Sequence, residues 1–170
     1  MTFHIAPLAD SPEADAALEA LLHESYVGGG FTSPEVAVTM FRAAAVRSRG
    51  TVLVAHDDAG TLLGTLTLVN PDSPARRLAT ADERELHLLC VQPGVRGSGV
   101  GRALVREALA RAYADGASGV VLWTQPTMHA ARRLYERCGF RRDPAADFTA
   151  ASRTFAVYRL AFADGAVNQL

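Results

Sequence analysis

Apolar residues recur along this chain with two periods. ELHLLCV (Glu85–Val91) and VVLWT (Val120–Thr124) are apolar on both faces, which predicts central strands of a sheet. TVLVAHDD and TLLGTLTLV flank Ala59-Gly60 and predict a hairpin. Helical spacing appears where Leu104, Val105, Ala108, Leu109 and Ala112 form one stripe. It appears again where Ala130, Ala131, Leu134, Tyr135 and Cys138 form another, stopped by Gly139. Nearer the start, FHIAPL predicts a short strand. Ser11-Pro12-Glu13 and Ser33-Pro34-Glu35 each supply a cap, a proline at the first helical position and an early acid. The first of these helices runs to about Tyr26, before Gly28-Gly29-Gly30, and the second to Arg49-Gly50. TFAVYRLAF closes the pattern as a last strand. The order is β-α-α-β-β-β-α-β-α-β, with a further short strand around Phe140 to Asp143. This predicts one α/β domain over residues 1–170, with a mixed sheet.

Composition narrows the classes without choosing among them. A chain of 170 residues, 49% apolar and 21% charged, is long enough to bury a core and ordinary for a globular protein. Its net charge of −1 argues against a polynucleotide binder, which needs clustered Lys and Arg. MTFHIAPLAD has no signal-peptide pattern, and no apolar run approaches the ~20 residues of a membrane span. Cys90 and Cys138 lack metal-ligand spacing and read as buried hydrophobes of a reducing compartment, so a cytoplasmic protein without a metal is expected. NPDSPARRLATADER, from Asn70 to Arg84, is too long for a simple connector, and loops of that kind are often functional.

Chemistry concentrates in VRGSGVGRAL, Val95 to Leu104, the joint between the central strand and a helix. The first N–H groups of that helix have no intrahelical acceptor, and the helix dipole favours an anion there. Arg96, Arg102 and the Ser98 hydroxyl add donors suited to phosphate. Neither the G-x-x-x-x-G-K-[ST] pattern nor G-x-G-x-x-G is met, because Arg102 stands where the last glycine of the second would be. A plain ligand-free turn is the alternative.

LLCVQPGVRGSGVGRALV resembles the acetyl-CoA-binding core of the GNAT superfamily of N-acetyltransferases. Its Q/R-x-x-G-x-G/A signature is matched by Arg96, Gly99 and Gly101, after a V-x-P turn at Val91 to Pro93. AARRLYERCGF is similar to the family's second helix motif, on Ala131, Leu134, Tyr135, Gly139 and Phe140. The resemblance implies a GNAT-like fold with a mixed, mostly antiparallel sheet of six to seven strands and about four helices. It implies that the pyrophosphate of acetyl-CoA rests on Arg96, Gly97, Ser98, Gly99, Val100 and Gly101, with Arg102 close by. It also assigns the pantetheine arm to the main chain of Leu89, Cys90 and Val91. Tyr135 would protonate the leaving thiolate, although periodicity alone reads it as a core aromatic. Met128 stands where the family often has Asn, with Thr127 and His129 as neighbours able to substitute.

The attacking amine must also lose a proton. Glu85 and His87 share one face of the central strand because they are two residues apart. The first is the leading candidate for base and the second its alternate, against readings as a solvated strand-end charge and a core histidine. Asp82, Glu83 and Glu85 together suit a cationic substrate, or a solvated loop. Acceptor selection is expected from Gly28–Thr32, the second helix and Asn70–Arg84. The reading is an acetyl-CoA-dependent N-acetyltransferase of a small-molecule primary amine, without membrane or nucleic-acid partners, and homodimers are common in similar proteins. Its rivals are a non-catalytic CoA-binding module and an acetyltransferase of a protein N-terminus or an aminoacyl-tRNA. The arginines at 132, 133, 137, 141 and 142 leave room for a local basic patch.

Overall fold

The structure, a computed structural model, describes residues 1–163; the last seven residues of the expected domain lie outside the described part. Strands β1 (Phe3–Pro7), β2 (Gly50–Asp57), β3 (Leu62–Val69) and β4 (Glu83–Val91) run antiparallel in sequence order. Strand β5 (Gly119–Thr124) lies parallel to β4, reached through helix α4 (Val100–Ala114). Helix α5 (His129–Arg137) leads to β6 (Arg141–Arg142), β7 (Phe148–Ala150) and β8 (Arg153–Ala161). Strand β8 pairs antiparallel with β5, and β6 and β7 both pair with β8. The sheet is mixed, as its patterning predicts, and mostly antiparallel, as the resemblance implies.

Each face of the sheet is covered by helices, and the stripe of α4 is one the sequence marks. Leu104, Val105, Ala108, Leu109 and Ala112 of α4 are sealed against Leu66, Leu86 and Leu122 of the strands, with Tyr135 and Cys138 beside them. On the other face, Leu18, Leu21 and Leu22 of α1 (Pro12–Leu22) pack with Phe41, Val46, Val52 and Val54. The expected start of α1 is met: the Ser11 hydroxyl accepts from the Ala14 N–H at 3.1 Å, with Pro12 at the first helical position.

Three details depart from the pattern. The described residues form eight strands, since β6 and β7 span two and three residues, too few to carry a periodic signal. The second predicted helix is two, α2 (Pro34–Met40) and α3 (Ala43–Arg47). Phe41 is fully buried at the break, and Arg42 there has extended backbone. The first helix does not simply end near Tyr26. Its last turn, His23–Val27, widens into a π-helix in which the Gly28 N–H reaches back to the His23 carbonyl at 3.2 Å. Such widened turns cluster at functional sites, and this one swings Tyr26 and His23 onto Phe41, at ring distances of 5.4 and 5.7 Å.

Gly64 decides how closely α4 can lie on the sheet. A Cβ there would meet the Cys90 carbonyl oxygen at 2.9 Å, Val100 Cγ1 at 3.0 Å and Leu104 Cδ1 at 3.2 Å. A side chain at 64 would lever the first turn of α4 away from the end of β4. The variant Gly64→Ala is therefore expected to lose about 1–3 kcal/mol of stability through overpacking. Urea unfolding checks it: the midpoint falls while the slope is kept.

Candidate functional site

Strands β4 and β5 pair only from Glu83↔Gly119 to Leu86↔Leu122, and beyond that point they part. The cause is visible in β4. Between the pairs Thr67↔His87 and Thr65↔Cys90 it carries one residue more than β3, and Leu88 takes the left-handed conformation at φ 56°. A non-glycine residue there costs on the order of 1–3 kcal/mol, and such strain is typical of functional sites. Alternation then places Cys90 towards β3, while the carbonyls of Leu89 and Val91 face the gap. The Tyr26 hydroxyl donates to the Leu89 carbonyl at 3.0 Å, and Arg96 Nε donates to the Val91 carbonyl at 3.2 Å.

The gap opens into a cleft of about 820 Å³ that runs over the glycine turn to the start of α5. Gly97 and Gly99 hold φ of 86° and 96°, and a Cβ on either would touch nothing, so backbone conformation rather than space requires glycine there. Among the described residues, the N–H groups of Gly97, Gly99, Val100, Gly101 and Arg102 donate to no protein acceptor. Those of Arg96 and Ser98 differ from expectation. Each closes a local turn, to the Pro93 carbonyl at 3.4 Å and the Val95 carbonyl at 3.2 Å, and the Ser98 hydroxyl also turns back onto Val95 at 2.6 Å. The turn's free donors come from the glycines and the first helical residues.

Arg96, Arg102, Arg133 and Arg137 line this cleft, and no carboxylate lines it among the described residues. The cleft is a concentrated positive site on a chain of net charge −1. Thr127, Met128 and His129 line it too, so both neighbours of Met128 stand where they can serve the same ligand. Of the other arginines in the suspected basic patch, Arg132 is tied to the Tyr158 hydroxyl at 2.9 Å and Arg142 to Asp147 at 2.7 Å. Arg133 and Arg137 line the cleft, while Arg141 is exposed and has no carboxylate partner among the described residues.

Tyr135 lies beneath the parted strands, 7% exposed, edge-on to Phe140 at 5.9 Å. Burial pushes its phenol well above the usual range, helped by the Cys138 and Cys90 thiols. Tyr26 is raised by the same cause, with Cys90 and Tyr135 as its neighbours, so the two phenols and the Cys90 thiol converge near Leu89. Burial likewise pushes Cys90 up to about 12. All three groups are held protonated at neutral pH.

Glu85 and His87 occupy the α1 face of the sheet. The Glu85 side chain is fully buried, and its oxygens accept the N–H groups of Arg77 (3.1 Å to each), Leu78 (2.7 Å) and Ala79 (2.9 Å). Oε1 also meets His87 Nε2 at 2.6 Å. Burial alone would raise this carboxyl, but the bonds from His87, Leu78 and Ala79 outweigh it and bring it below the usual range. An ionised carboxylate only accepts, so Nε2 of His87 carries a proton, and it is in the neutral ring that Nδ1 presents a lone pair. Nδ1 is buried and has no partner among the described residues, and the ring lies edge-on to Trp123 at 4.6 Å.

Two of the three acids in the cluster are committed to partners within the fold, and Asp82 stays exposed. Asp82 accepts the Thr80 hydroxyl at 2.7 Å, Glu83 is bonded to Arg159 at 2.5 Å, and Glu85 is committed to the loop. Sequence reasoning missed Tyr26, because a π-turn has no periodic signature. It also missed Trp123, which the pattern reads only as part of a buried strand. Among the described residues, no helix is long and apolar enough to cross a membrane, and no group of three or more His, Cys, Asp or Glu is placed to hold a metal ion.

Comparison with known proteins agrees with this geometry. Residues 16–140 match the Acetyltransferase (GNAT) family. The chain is 41% identical over 86 residues to a mycothiol acetyltransferase of Beutenbergia cavernae, which is 50% of this chain and 26% of that protein. It is 34% identical over 94 residues to a mycothiol acetyltransferase of Mycobacteroides abscessus, 55% of this chain and 29% of that protein. The matches thus cover under a third of the curated relatives' length. An acetyltransferase from Streptococcus agalactiae shares the fold with a TM-score of 0.74 at 19% identity, over 94% of this chain and 98% of that one. So does a GNAT family acetyltransferase from Brucella melitensis in complex with acetyl-CoA, with a TM-score of 0.64 at 22% identity, over 95% and 89%. With parted central strands, a glycine turn of unbonded amides and a family match across most of its length, the chain belongs to the GNAT family of acetyltransferases.

Proposed function

We propose that this protein transfers an acetyl group from acetyl-CoA to a small-molecule primary amine by direct attack. The observation that carries the reading is the continuity of one cleft from the parted end of β4 to the unbonded N–H groups of the glycine turn. Bound acetyl-CoA would supply the thioester whose acetyl group is transferred. The chain's own part is to hold it and move protons. The amides of Gly97 and Gly99–Arg102 suit the pyrophosphate, with Arg96, Arg102, Arg133 and Arg137 compensating its charge. Main-chain groups of Leu89 and Val91 suit an amide-bearing arm lying along β4 as an added strand, with Cys90 between them.

Proton transfer divides between the two faces of the sheet. His87 Nδ1, with its lone pair fixed by the Nε2 bond to Glu85, takes the proton that the amine sheds as the C–N bond forms. Tyr135, kept protonated by burial, gives its proton to the thiolate as the C–S bond breaks. Glu85 then acts as a positioning residue: all its hydrogen bonds are taken by the loop and by His87, and it sets the tautomer of the base.

The test is release of CoA thiol from acetyl-CoA in the presence of an amine. His87→Ala is expected to lower kcat/KM by about 10²–10⁴-fold. Its residual rate should climb with pH towards the amine's own pKa of ~10.4, since only the free amine then attacks. Tyr135→Phe should lower kcat by at least about tenfold. Unchanged rates in both would remove these roles.

Glu85 gives a pH-dependent stability as well. Its carboxyl is depressed in the folded protein, so its contribution is present above the unfolded value of ~4.3 and is lost as pH falls through the lower folded value. Glu85→Gln should cost about 1–3 kcal/mol at pH 7, through loop amides left without acceptors, and progressively less below pH 4. Urea midpoints measured across pH 3–8 check the sign.

A further inference from the structure

Rings form a wall beside His87, the candidate base. Trp123, at the free end of β5, lies 4.6 Å from His87 and 5.8 Å from Phe148 of β7, which stacks on Phe155 of β8 at 5.0 Å. The guanidinium of Arg77 lies 4.0 Å above the centre of the Phe148 ring. These residues come from a strand end, a hairpin and a long loop, and two anchors bring them together. Glu85 binds the N–H groups of residues 77–79 and so fixes the loop that carries Arg77. The Phe31 carbonyl accepts from both Gln125 Nε2, at 2.7 Å, and Arg153, closing the loop after α1 onto the ends of β5 and β8.

Charge around this wall is unbalanced in one direction. Glu83 is paired with Arg159, Asp143 with Arg159 at 2.8 Å, and Asp147 with Arg142 at 2.7 Å. Glu85 is enclosed by loop amides and His87. Arg77 and Arg153, by contrast, have no carboxylate partner among the described residues; Arg77 rests on a ring and Arg153 on a backbone carbonyl. A cationic acceptor would find Glu83, Asp143 and Asp147 already paired with arginines and Glu85 enclosed. An anionic group would find two guanidiniums free to pair, one already oriented by its ring.

We propose that the acceptor is a primary amine carrying both an aromatic body and a carboxylate, as in an aromatic α-amino acid. Trp123, Phe148 and Phe155 receive the ring, Arg77 pairs with the carboxylate, and the amine faces Nδ1 of His87. This rests on the reading of the cleft as an acetyl-transfer site and names the class of molecule it serves.

Matched acceptors test it on the intact protein with acetyl-CoA: phenylalanine, phenethylamine, alanine and ethylamine, followed by thiol release. Phenylalanine should exceed both phenethylamine and alanine in kcat/KM by at least about tenfold, the scale of one charge-assisted contact. Arg77→Gln, an exposed position whose side chain does not hold the core, should raise KM for phenylalanine towards that for phenethylamine, and Arg77→Lys should recover part of the loss. Acceptor binding is read separately, as the rise in unfolding temperature when phenylalanine, but not phenethylamine, is added to the CoA-saturated protein. Stabilisation by phenylalanine without thiol release from any amine would keep this acceptor class and sink the transferase reading. Turnover of phenethylamine or ethylamine equal to that of phenylalanine, or an Arg77→Gln variant with unchanged preference, would overturn the acceptor class while transfer stands. Neither stabilisation nor release would overturn both.

Discussion

The parting of β4 from β5 after Leu86↔Leu122 is the constraint on which the site depends. Had the two strands stayed paired to their ends, the main chain of Leu89 and Val91 would be satisfied within the sheet and no cleft would open. One extra residue in β4, with Leu88 forced to φ 56°, turns the strand instead. The cost of that strain is carried by the rest of the sheet. Val120, Val121 and Leu122 of β5 are sealed against β8, and Leu53, Leu66 and Leu68 lie behind β4. A rigid sheet with a local defect gives a slot whose walls are backbone, and backbone walls bind through main-chain hydrogen bonds.

The second organising element is a buried charge. Glu85 would be a liability in an apolar sheet, since an unpaired carboxylate there carries a large desolvation penalty. It is offset by three loop amides and the His87 ring, the kind of full satisfaction that makes a buried polar network specify one arrangement. The same bonds hold residues 77–79 of the Asn70–Arg84 loop and the Nε2 proton of His87, the proposed base. In the proposed transfer, loop position and proton chemistry would be coupled through this single carboxylate.

Much of this was legible from residue order. The stripes on α4 and α5, the hairpin and the buried runs of β4 and β5 are strong periodic signals, and each element lies where its signal places it. The glycine turn stood out in the strand-to-helix joint with an anion site and a plain turn as its two readings, and the positive φ of Gly97 and Gly99 explains the glycines under either. What could not be read depends on long-range contacts. The spacing of Glu85 and His87 puts both on one face, but only the folded loop shows that the carboxylate is saturated and the imidazole is not. Ser98 looked like a ligand donor by type, yet its hydroxyl closes onto a carbonyl three residues back. Tyr26 reaches Leu89 across 63 residues through a widened turn that leaves no trace in local pattern.

In the proposed function, the parted end of β4 and the glycine turn form one acetyl-CoA site. Hydrogen exchange read by mass spectrometry, on the protein alone and with saturating acetyl-CoA or ATP, tests it most directly. The account predicts that acetyl-CoA slows exchange in both Leu89–Val91 and Gly97–Arg102, whereas ATP slows it in the turn at most. Protection by acetyl-CoA that spares either segment, or ATP protecting both equally, would contradict it.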